Sequence, residues 1–91
     1  MVYLYIQHTV EDFNKWKEGY DVHAPARQAG GATGEAYVMR DVDHPNEITL
    51  LLGWSSLEKA RAFARSTSLK DAMRDAGVQG HVDVRFLEAA V

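Results

Sequence analysis

Four residues restrict the topology of this chain more than any others. "DHPN", Asp43–Asn46, separates "EAYVMRDV" (35–42) from "EITLLLGW" (47–54). Both flanking runs are rich in apolar and β-branched side chains and read as strands. Asp, Pro and Asn supply turn chemistry between them, so the two runs form an antiparallel hairpin.

The outer strands reach that hairpin through much longer connections. "VYLYIQH" (2–8) reads as the first strand, and "HVDVRFLEA" (81–89), which alternates along its length, as the last. Thr9, three positions before Asp12, is an N-cap signal for a helix beginning near Val10 and running to about His23 or Ala24. Pro25 disfavours helical geometry in the residue before it but suits the start of a new short turn. "QAGGATG" then reads as a loop. After the hairpin, Ser55 and Glu58 have the spacing of a capping box for a second helix. Near "STSLKD" that helix breaks and restarts, with Ser68 before Asp71 as a second cap and Gly77 at the C-terminus. The order β-α-β-β-α-β predicts an α+β, ferredoxin-like (split βαβ) fold: a four-stranded antiparallel sheet with helices on one face. Residues 1–91 form a single domain on this reading.

One face of such a sheet has no helix to cover it, yet both parities of the strands carry large side chains. Val2, Leu4 and Ile6 alternate with Tyr3, Tyr5 and Gln7; Val82, Val84 and Phe86 alternate with Asp83, Arg85 and Leu87. With the aliphatic set turned to the helices, Tyr3, Tyr5 and Leu87 are left facing water. Open apolar patches mark interfaces, and a chain of 91 residues buries only about 60–65% of its unfolded surface. A symmetric homodimer packed sheet on sheet is therefore expected.

Composition excludes other classes. The net charge is −3 and the ten basic residues are scattered, so neither nucleic acid nor an anionic membrane is an expected partner. There is no cysteine, hence no disulfide and no thiolate metal site. The start, "MVYLYIQHTVEDF", lacks the features of a signal peptide, and no apolar run approaches the ~20 residues that span a bilayer. A cytoplasmic protein is expected.

With the strand order, length and two segments taken together, "HTVEDFNKW" leading into the first helix and "LLLGWSSLEKARAF" into the second, the chain resembles the dimeric α+β barrel superfamily. Within it, the chain is similar to the antibiotic biosynthesis monooxygenase-like proteins. The resemblance implies a homodimer closing into a barrel, and a pocket between helices and sheet for an aromatic or polyketide-like small molecule. It implies no cofactor where the substrate itself supplies the electrons: a phenol is deprotonated, its anion reacts with dioxygen, and a quinone results. Haem-degrading members carry a histidine on the second helical segment; no histidine lies between Asn46 and Gly80, so haem is not expected.

Phe13, Trp16 and Tyr20 lie on one helical stripe whose next two positions are His23 and Arg27. The topology brings these to the same end of the sheet as Trp54, Tyr37 and the start of the second helix. There His23 serves as the proton-transfer group and Arg27 binds a carboxylate, phenolate or enolate. Trp16, Tyr20 and Trp54 supply flat walls for a ring, and Tyr37 is a hydrogen-bond donor if the hairpin register turns it inward. The plainer reading of His23 and Arg27 is a solvated helix end complementing the helix dipole. Trp16 and Tyr20 equally suit a small core. His8 follows the apolar parity of its strand, which makes it a further candidate, whereas His44 reads as a turn residue. The histidines, at 8, 23, 44 and 81, lack metal-binding spacing, and no dinucleotide or nucleophile-elbow motif is present. Two other readings fit the same residues: an acid–base cyclase or isomerase, and a non-catalytic ligand-binding or assembly module.

Overall fold

The computed structural model describes residues 1–90. In chain order it contains β1 (Val2–Val10), α1 (Phe13–Val22), α2 (Ala24–Gly30), β2 (Ala32–Arg40), β3 (Glu47–Trp54), α3 (Leu57–Ala64), α4 (Thr67–Asp75) and β4 (Val78–Glu88). The strands form one sheet in the order β2-β3-β1-β4, with each neighbouring pair antiparallel. This is the expected α+β, ferredoxin-like arrangement, with each helical crossover divided into two helices.

Register sorts the side chains. Leu4 stands between Leu52 and Phe86, and Ile6 between Leu50 and Val84. Leu4, Ile6, Val10, Ile48, Leu50, Leu52 and Trp54 are buried on this face, where Trp16, Ala60, Phe63 and Leu69 of the helices meet them. Val84, on the edge strand, stays 40% exposed, while Val82 and Phe86 on the same face pack against the core. The opposite face carries a cross-strand row of Tyr37, Leu51, Tyr5 and Arg85, beside a second row with Tyr3 and Leu87. Tyr3 donates its hydroxyl hydrogen to Glu35 there, and Tyr37, Met39 and Leu87 remain largely exposed. The aliphatic and aromatic parities thus separate as the alternation predicts.

Three caps differ from expectation, the first two where a longer-range backbone bond is made. Thr9 caps nothing: β1 runs on through Val10, whose N–H donates to the Asn46 carbonyl and whose partner across the sheet is Val78. Asp12 takes the capping role, its carboxylate accepting from Lys15 N at 3.0 Å. Ser55 is drawn off by a backbone bond from its N–H to the Gly31 carbonyl, and Ser56 caps α3 instead. Ser66 rather than Ser68 caps α4, accepting from Leu69 N at 3.1 Å. That substitution leaves the Ser68 hydroxyl available for another partner.

Strand ends shift for similar reasons. β2 begins at Ala32, three residues early, because Ala32 pairs with Trp54 before a bulge that ends at Ala36; it stops at Arg40, since Asp41 opens the hairpin turn. β4 begins at Val78 rather than His81, extended by the same Val10–Val78 pairing. Pro25 does divide the first crossover, but into a seven-residue helix rather than a single turn.

Candidate functional site

The stripe along α1 and α2 lies over the sheet as a continuous stack. Trp16 and Tyr20, one helical turn apart, stack with centroids 5.2 Å apart and planes 22° from parallel. The Arg27 guanidinium sits 3.8 Å from the Tyr20 ring centroid and donates from Nη1 to the Tyr20 carbonyl at 2.8 Å. At the other end, the edge of His8 meets Trp16 at 5.8 Å. Between this stack, the sheet and α4 is a cavity of about 40 Å³, to which Trp16, Tyr20, His23, Arg27, His8 and Phe63 all contribute wall. His23 and Arg27 are thus half-buried, and both contribute to the rim of this cavity.

The electrostatics of the rim follow from burial. His23 is held below its ordinary pKa, first by desolvation and then by the positive charge of Arg27. Arg27 is lowered by burial too, with Tyr20 and Asp21 acting in the opposite sense. It forms no ion pair among the described residues; its close partners are the Tyr20 ring and carbonyl, with the Asp21 charge farther off. His23 Nε2 lies 2.9 Å from Ser68 Oγ, the hydroxyl that Ser66 had freed from capping.

Trp54 and Tyr37 lie outside the cavity. Trp54 is 1% exposed and packs beneath Phe63, ring centroids 4.7 Å apart, so it supports the wall without forming it. Its indole N–H has no partner among the described residues. Tyr37 is across the sheet, paired with Leu51 on the open face. His8, a further candidate because it shares the parity of Leu4, Ile6 and Val10, lines the cavity; Phe63, which also lines it, carries no signal beyond its place on an amphipathic helix.

Size limits what the cavity can do. A cavity that binds benzene has about 150 Å³, and about 10–15 Å³ holds one water. The space here has room for about three waters and not for an aromatic ring. On its outer side, a groove of about 730 Å³ runs between α1 and α4. Gly19, His23, Ala72 and Ala76 border both spaces, so they form the partition. α1 and α4 approach closely at Gly19, where an added Cβ would stand 3.1 Å from Ala76 Cβ. Parting α1 from α4 would break the His23–Ser68 bond and join groove to cavity.

Asp41, His44 and Glu47 form a separate, mostly exposed cluster with ligand-type atoms within 4.8 Å of one another. Asp41 Oδ2 already accepts from the Asp43 and His44 N–H groups, which makes the cluster a brace for the hairpin turn. Among the described residues no helix is long and apolar enough to cross a membrane.

No protein-family model matches the chain, and no curated protein matches it. Solved structures do. A candidate antibiotic biosynthesis monooxygenase from Bordetella bronchiseptica superposes with a TM-score of 0.80 at 14% identity, covering 99% of this chain and 97% of that one. SnoaB, a cofactor-independent oxygenase from Streptomyces nogalater, gives 0.78 at 13% identity, covering 99% and 93%. Rv0793 from Mycobacterium tuberculosis gives 0.72 at 14%, covering 99% and 95%. Over essentially its whole length, then, this chain has the fold of the antibiotic biosynthesis monooxygenase-like proteins.

Proposed function

We propose that the protein is a small homodimeric oxygenase that uses neither metal nor flavin and oxidises a phenolic, aromatic or polyketide-like molecule. The observation that carries this reading is the half-buried Arg27 guanidinium, in no ion pair among the described residues, together with His23, whose pKa burial holds down, at the rim of an aromatic-walled cavity. The fold shared with SnoaB supports it.

Ligand would come in through the groove between α1 and α4. As the helices part, Ser68 releases His23 Nε2, which then faces the incoming ring with its lone pair available. His23 accepts the acidic proton of an anthrone or hydroquinone, and Arg27 holds the resulting oxyanion. The ring supplies electrons to dioxygen. For an anthrone, one oxygen atom becomes the new carbonyl, and the second leaves as water with the two hydrogens of the oxidised carbon. Trp16 and Tyr20 position the ring and keep water out.

Oxygen uptake with a panel of anthrones and hydroquinones tests this. Uptake is expected in the wild type, with Arg27→Met and His23→Ala each lowering the rate about 100-fold. Their melting temperatures should stay within a few degrees of wild type, since the His23–Ser68 bond is exposed. Absence of uptake across the panel would end the oxygenase reading. A second reading is favoured by the two imidazoles on this cavity, both held below their ordinary pKa. They suit an acid–base cyclase or isomerase, which would give product from a poly-β-ketone with no oxygen consumed.

The open face of the sheet would close against a second copy through Tyr3, Tyr5, Tyr37 and Leu87. Sedimentation at micromolar concentration should then show a dimer, and Tyr37→Glu with Leu87→Glu should shift it to monomer. A wild-type monomer would remove this part of the proposal.

A further inference from the structure

His8 is the most deeply buried polar side chain described in the fold, 4% exposed, and it makes no hydrogen bond. Neither Nδ1 nor Nε2 has a partner among the described residues. Burying such a group unpaired costs about 1–3 kcal/mol, which a valine or leucine at the same strand position would avoid. Among the described residues no hydrogen bond offsets that cost; the contact His8 does make is with the Trp16 ring. The imidazole instead lines the cavity, edge-on to Trp16, where the neighbouring walls are apolar: Ile6, Leu50 and Met73. The cavity thus has an imidazole at one end of the Trp16–Tyr20 stack and, at the other, the Arg27 guanidinium, which is in no ion pair among the described residues.

We propose that His8 is a specificity-determining residue: it hydrogen-bonds a neutral hydroxyl or carbonyl on the far edge of an aromatic ligand whose acidic oxygen is held by Arg27. The inference rests on the reading of this cavity as an aromatic-ligand site, and it narrows the ligand to a flat ring system with oxygen at both ends. A neutral imidazole offers one N–H donor and one lone pair, so a ring hydroxyl can satisfy either nitrogen. A ring bearing carbon alone at that edge would leave both nitrogens unpaired, and the site would discriminate against it.

Two probes differing only at that edge test the assignment: 6-hydroxy-2-naphthoic acid and 2-naphthoic acid. Their affinities would be measured by calorimetry on the wild type and on His8→Phe. Wild type is expected to prefer the hydroxy acid by about tenfold, the value of one well-made hydrogen bond. His8→Phe should bring the ratio to about one. Its affinity for 2-naphthoic acid should stay within about threefold, and its melting temperature should not fall. Equal binding of both acids by wild type would overturn the role of His8 while leaving the aromatic site in place. A preference that survives His8→Phe would do the same. Joint loss of affinity and stability in His8→Phe would make His8 a packing residue and overturn the proposal. If neither acid binds wild type, the aromatic-site reading fails and this inference fails with it.

Discussion

Trp54→Ala is expected to destabilise the protein by about 3–5 kcal/mol. That is a large share of the roughly 5–15 kcal/mol that a domain has in total. Trp54 is 1% exposed at the end of β3, where the start of β1, the start of β2 and the turn after α2 converge. Its ring touches Phe63, and Gly30 approaches so closely that an added Cβ would stand 3.4 Å from it. Ser55, next in sequence, ties β3 to the α2 terminus through the Gly31 carbonyl at 2.9 Å. Four separately anchored segments cannot all move inward, so truncation leaves a void that the surroundings do not fill. Trp54→Phe should cost much less. It keeps the ring contact with Phe63 and removes an indole N–H that has no partner among the described residues. Urea unfolding of the two variants checks the difference. A loss below about 1 kcal/mol for Trp54→Ala would show that the site collapses freely.

Acid should weaken the fold through His8. Desolvation lowers its pKa from 6.5 to about 4 in the folded state. The unfolded chain therefore takes up this proton first as pH falls, and stability falls with it. The full contribution is present above pH 6.5. It declines between pH 6.5 and about 4 and is gone below, a total of about 3 kcal/mol. His8→Phe should flatten that limb, so that wild type and variant differ in slope between pH 7 and 4. Asp41 acts in a lower window. Hydrogen bonds from His44 hold its carboxyl below the ordinary value, so its support is present above 3.8 and lost as pH falls through its folded pKa. Identical slopes for wild type and His8→Phe would mean that His8 is solvated in the native state.

What could be read from the sequence was carried by local chemistry. "DHPN" turns the chain because Asp41 binds the backbone of Asp43 and His44, contacts within a few residues. The strand parities needed only alternation. The stripe that ends in His23 and Arg27 was visible as helical spacing, and Pro25 marked the break between them. Other features depended on partners distant in sequence. Thr9 looks like a cap until Val78, far along the chain, extends β1 past it. The side on which Tyr37 stands follows from its pairing with Leu51, downstream of a bulge at Gly34 whose register only the partner strand sets. The His23–Ser68 contact joins positions 45 residues apart and exists only because Ser66 took the cap. Cavity volume is a difference between packed surfaces, so no single segment contains it.

The strand order also bears on how the chain is assembled in time. β1 is synthesised first, yet its two neighbours are β3 and β4, with Tyr3 opposite Gly53 on one side and Leu87 on the other. A nascent chain emerging from the ribosome can complete the hairpin and dock β1 on β3, but one edge of β1 waits for the last strand. During that wait the central strand of the finished sheet is an edge, with unpaired backbone groups and an exposed row of tyrosines. Pairings so distant in sequence also form slowly. The period before β4 is made is therefore when this protein is most open to pairing with the wrong chain.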